Sequence, residues 1–155
     1  MPVLINNRQQ IEDSWIRLID DQIIEDQSHI IVSLYRLIRD WSQLQLLEIA
    51  IGVELESDAV VEDMLFALSE IDMVVLHFEV FADGRAFSQA KLLRERYGFS
   101  GDIRARGDVI RDQLAFMRRC GFSQFEVGDD ENIELAFLAF NEISSAYQSD
   151  LNRIA

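Results

Sequence analysis

The chain reads as an α/β fold of about five parallel strand–helix units, half of a β/α barrel or an open parallel sheet, with an N-terminal β-hairpin. Three observations point there. Short apolar runs alternate with segments whose apolar residues recur at helical spacing. Each strand–helix unit takes about 20 to 30 residues, as a right-handed crossover requires. Pro2 is the only proline, and no linker interrupts the series. A chain of 155 residues is long enough for a real core. It is read as one domain, 1–155, with the hairpin and an acidic connection in 1–28 and the β/α repeats in 29–155.

The elements follow in order. Val3 to Asn6 and Ser14 to Leu18 are the two hairpin strands, and Asp20 to Gln27 is the acidic connection. His29 to Val32 is a β-branched run and a strand. Leu34, Leu37, Ile38 and Trp41 then fall on one helical face. Ile49 to Leu55 is a strand, and Asp58 is placed to cap a helix carrying Val61, Met64, Leu65 and Leu68. Met73 to Phe78 is continuously apolar apart from His77, as in a strand buried on both faces. Ser88 to Tyr97 is a helix closed by Gly98. Asp102 to Ala105 is a strand, Asp108 to Arg119 a helix closed by Gly121, and Ser123 to Val127 a strand. Ile133 to Tyr147 is a long final helix.

Charge is unevenly distributed. The net charge is −14, yet nine of the 14 basic residues lie between positions 81 and 120. That window is net +4, the first 80 residues are net −12 and the last 35 are net −6. Clustered cations in an acidic chain mark a candidate binding surface. The overall charge argues against nucleic acid or an anionic membrane as partner. No apolar run reaches the ~18 residues of a membrane span, and the N-terminus lacks the pattern of a signal peptide. Cys120, the only cysteine, rules out an internal disulfide, and a cytoplasmic setting fits. No metal or cofactor motif is expected: there is no G-x-G-x-x-G, Walker loop, H-E-x-x-H or C-x-x-C.

In parallel α/β folds, ligands sit beyond the carboxyl ends of the strands. The residues placed there are Glu56 and Asp58, then Asp83, Gly84 and Arg85. Arg104, Arg106, Gly107 and Asp108 follow, then Gly128, Asp129 and Asp130. The candidate anion- or partner-binding set is Asp83, Gly84, Arg85, Ser88, Arg104, Arg106 and Asp108; of these, Asp83, Arg85, Arg104, Arg106 and Asp108 are expected at the carboxyl ends of adjacent parallel strands as one polar cluster. Arg85 can clamp an oxyanion with help from Ser88 and a helix N-terminus. The plainer reading is an Asp-Gly turn, Ser88 as N-cap and Arg85 paired to a carboxylate. Alternation along a strand puts Arg104 and Arg106 on one side, suited to a carboxylate, phosphate or sulfate. The competing reading is an internal ion-pair network.

Elsewhere the plain reading leads. Arg94, Arg96, Arg118 and Arg119 complement helix C-termini. His77 shares a face with Glu79, but its apolar neighbours mark it as a core histidine. Ser88-Gln89-Ala90-Lys91 matches Ser-x-x-Lys without the companion elements of penicillin-recognising enzymes. Cys120 reads as inert packing.

Phe81-x-Asp83-Gly84-Arg85-x-x-Ser88-x-Ala90-x-Leu92-Leu93-Arg94 opens a longer pattern. Gly101-x-Ile103-Arg104-Ala105-x-Gly107-Asp108, then Asp112-Gln113 and Arg119-Cys120-Gly121-Phe122, continue it. From about Ile51 to Val127 the chain resembles the bacterial domain-of-unknown-function family nine-thirty-four. That resemblance implies a link to sulfite and sulfate assimilation, since genes of the family often adjoin those for sulfite reductase. It gives no catalytic residues. The "probable oxidoreductase" label of some members finds no cofactor motif in these residues. Two expectations follow. One is an accessory protein docking on sulfite reductase or a related enzyme. The other is a small α/β enzyme acting on an anionic substrate, with Arg85, Arg104 and Arg106 as clamps and Asp83 or Asp108 as acid–base groups.

Overall fold

The structure is a computed structural model describing residues 3–80, 83–128 and 133–140. Seven strands form one sheet in the order β1-β7-β6-β5-β4-β3-β2. The strands are β1 (Val3–Ile5), β2 (Ile16–Arg17), β3 (His29–Ser33), β4 (Ala50–Leu55), β5 (Met73–Phe78), β6 (Asp102–Gly107) and β7 (Gln124–Val127). From β3 to β7 each strand lies parallel beside its successor. This sequential order belongs to a β/α barrel; a doubly wound sheet reverses its order partway.

The sheet curls. Arg17 on the edge strand β2 reaches Glu126 on β7, next to the opposite edge, at 3.2 Å. The architecture is therefore a half-barrel. Its convex face carries the helices: α1 (Leu34–Leu44), α2 (Gly84–Lys91), α3 (Leu114–Cys120) and residues 133–140. Alternate strand residues, among them Ile51, Val53, Leu55, Val74, Leu76, Phe78 and Phe125, pack into one core with Leu37, Met64, Ala90, Met117 and Phe140. The intervening residues face the hollow side, where Ile31, Met73 and Val75 form a small apolar patch under Trp15.

Several sequence expectations shift. Both N-terminal strands exist, and the chain does turn back after β1, bridging Ile5 to Gln10. The two strands do not pair with each other, however. β1 joins β7 antiparallel and β2 joins β3 parallel, so residues 6–15 run from one edge of the sheet to the other. Asp58 caps nothing: a 3-10 helix runs Val61–Glu70 behind an extended Val60, without a side-chain cap. α2 begins four residues before Ser88, because the Asp83 carboxylate accepts the Arg85 N–H and nucleates the turn there. The segment after β6 stays extended until Ile110, and its helix starts as a 3-10 turn at Arg111–Gln113. Gly107 explains that delay. Its φ of +97° turns the chain, and a Cβ there would run into the Phe78 carbonyl. Residues 141–147 of the expected last helix, and the rim residues Asp129 and Asp130, lie outside the described residues. Among the described residues no helix is long and apolar enough to cross a membrane.

Candidate functional site

The hollow face becomes polar toward the carboxyl ends of its strands. Alternation puts Arg104 and Arg106 of β6 there, as expected, with Glu54 of β4, His77 of β5, Glu126 of β7 and Arg17 of β2. Arg104 is wholly buried. Its Nη1 and Nη2 donate to the two Asp13 oxygens at 3.2 Å each, and its Nε donates to Gln124 Oε1 at 3.0 Å. Arg106 Nη1 donates to Glu54 Oε1 at 2.6 Å. Arg17 lies 3.6 Å from Glu54 and 3.2 Å from Glu126. Three guanidiniums thus face three carboxylates in two groups, Arg104 with Asp13 and the run Arg106–Glu54–Arg17–Glu126. Burial pulls the Arg106 guanidinium down, but Glu54, then Glu126 and Glu56, outweigh it and hold the pKa above its ordinary value.

A cleft of about 520 Å³ opens above this network, lined by Asp13, Arg17, His77, Arg106, Gly107 and residues 126–128. His77 is not a core histidine. It lies on the hollow face directly beside Arg106 in the β5–β6 register, with Nδ1 at 3.8 Å from Glu56. The polar side chain survives in an apolar strand because this end of its face meets charges and solvent. Arg17 Nε and His77 Nδ1 are buried and have no hydrogen-bond partner. An unmet buried donor or acceptor costs about 1–3 kcal/mol, so the network is incomplete at these two atoms.

The other predicted residues gather elsewhere. Gly84, Arg85 and Ser88 line a shallower cleft with Ser57, Asp58, Ala59 and Gln89, at the start of α2 in the helix layer. Arg85 grips Asp83 in a two-point pair, Nε to Oδ1 at 2.9 Å and Nη2 to Oδ2 at 3.0 Å. The Arg85 side chain, with its backbone N–H second, holds the Asp83 carboxyl below the usual range. Asp108 is exposed on the turn beyond Gly107, its N–H bonded to the Phe78 carbonyl. The two Arg/Gly loops therefore share the rim of the half-barrel but line different clefts.

Arg94 has a structural task. It donates to Gly121 O twice, to Phe99 O and to Gly101 O, tying the widened helical turn Leu92–Arg96 to the end of α3. Gly121, at φ +118°, leaves the space that this side chain occupies. Cys120 is buried, and burial pushes its thiol up. That suits packing and disfavours a thiolate nucleophile.

Asp13, Arg17, Glu54 and Glu126 were not among the residues singled out from sequence. Each is a charge on the alternate face of a short strand, or just before one, and that alternation was the available signal.

Fold and site together define a class: a β/α half-barrel whose hollow face carries a charged network and an open cleft. Residues 52–154 match the model of the bacterial proteins of unknown function called DUF934, and the chain belongs to that family. None of the curated proteins compared with the chain matches it.

Proposed function

We propose that the protein is an accessory protein that docks on an enzyme of sulfur assimilation, sulfite reductase or a relative. The observation that carries this reading is the engagement of the candidate clamps. Arg85 and Arg104 are each gripped at two points by a carboxylate of the same chain, and Arg106 is held at one, as befits a scaffold more than a site built around a free anion. The docking surface is acidic. Glu56, Asp58, Glu62, Asp63, Glu70 and Glu79 are all exposed, no lysine or arginine lies between positions 56 and 79, and Arg85 stands beside this acidic stretch, 3.8 Å from Glu79. Val60 and Phe66 are half exposed among them, which supplies apolar contact inside a charged rim. An enzyme that handles sulfite presents cations to its substrate, so its surface offers the complementary sign. The sulfite link itself rests on the family resemblance.

Docking of this kind is fast and salt-sensitive, because charges separated by more than about 10 Å are screened at 0.1 M salt. The test is a titration of the two purified proteins at low and high ionic strength. Binding at low salt and its loss at high salt is the expected result. Absence of binding at low salt removes sulfite reductase as partner, and binding indifferent to salt removes the electrostatic mechanism.

A further inference from the structure

The cleft on the hollow face offers more than a scaffold needs. Among the described residues, Arg106 is hydrogen-bonded only through Nη1, and Arg17 only through Nη2. A guanidinium has five N–H donors, so both keep donors to offer. Both are partly exposed and line the cleft beside His77, whose Nδ1 has no hydrogen-bond partner. The same cleft is lined by two carboxylates, Asp13 and Glu126. Its volume of about 520 Å³ suits a small metabolite.

The pattern of signs narrows the ligand. Three arginines and three carboxylates balance one another in their pairs, with Glu56 beside His77 at the edge, within a chain of net −14. A simple anion gains little from a balanced site and is opposed by the charge of the whole molecule. A simple cation meets Arg17 and Arg106. A molecule carrying both charges a few ångströms apart opposes neither. We propose that this cleft binds a small zwitterion of the α-amino-acid class, its carboxylate between Arg17 and Arg106 and its ammonium against Asp13 and Glu126. A planar, two-point guanidinium–carboxylate contact supplies the orientation.

The experiment is a thermal-shift screen of the full chain against the common α-amino acids at millimolar concentration. For the best of them, its deaminated acid and its decarboxylated amine are run alongside. At saturation the expected rise in Tm is about 3–6 °C for the amino acid, with neither half reproducing it. Arg106→Gln abolishes the rise, and its fold is checked by circular dichroism. If Arg106→Gln fails to fold, Arg17→Gln takes its place, with the rise cut at least by half. No response to any amino acid overturns the proposal. So does a response to the acid or amine alone that equals that of the zwitterion, and so does a rise that survives the substitutions. The salt-dependent titration above is independent of all these outcomes.

Discussion

On one side of β5, Val74, Leu76 and Phe78 lie fully buried against helices; on the other side of the same strand, Val75 gives way to His77 and the charged cleft. The same contrast holds along β6, where Ile103 and Ala105 face the core and Arg104 and Arg106 face Asp13 and Glu54. The convex face is held by area removed from water, which is indifferent to which apolar residue meets which. The hollow face is held by directed pairs, which fail when one member is removed. One set of strands therefore carries stability on one side and specification on the other. A sheet whose hollow side did not close into a barrel has room to keep charges there.

The largest effect that would test this contrast lies on the convex face. Phe78→Ala is expected to cost about 3–5 kcal/mol, read as a lower urea midpoint at an unchanged slope. A loss below 1 kcal/mol would mean that the core is not concentrated there. On the hollow face, Arg104→Ala is expected to cost about 2–3 kcal/mol, because it strands Asp13 and Gln124. The partly exposed Asp13 keeps this below the core value. A double-mutant cycle sharpens the point: Asp13→Asn destabilises the native chain but does little once Arg104 is gone. Additive losses would show that the pair is no more than a neighbourly contact. The smallest effect is expected at the rim, where Asp83 meets Arg85. The folded-state pKa of Asp83 is depressed, so its contribution is present above the unfolded value near about 3.9 and fades as pH falls through the folded value. Asp83→Asn should lower Tm at neutral pH and flatten the decline of Tm in acid. Parallel pH curves for the two proteins would contradict this.

The alternation that builds the convex core was legible in the sequence. Five strand–helix units, the stops at Gly98 and Gly121, and the shared side of Arg104 and Arg106 all follow from spacing alone. Curl and partnership were not. Nothing local to Arg17 says that it will meet Glu126, because that contact depends on how far the sheet bends. His77 misled for a related reason. Its neighbours in sequence are apolar, but its neighbours in space are set by the register of β5 against β6. The start of α2 was displaced because Asp83 and Ser88 both satisfy the preference for a cap, and only the bond to the Arg85 N–H chooses between them. The split of the predicted cluster into two clefts escapes spacing too: Arg85 lies in the first turn of α2, whereas Arg104 and Arg106 lie within β6.

The path of residues 6–15 has a consequence in time. Asp13 is 91 residues from Arg104, and Arg17 is 109 from Glu126. Contacts this remote in sequence close long loops, as the β1–β7 pairing does, and bring their reward late. On the ribosome, residues 3–17 emerge before β6 and β7 and lack these partners until those strands follow. The ion pairs across the half-barrel thus act as a late latch that shuts only when the last strand has been made.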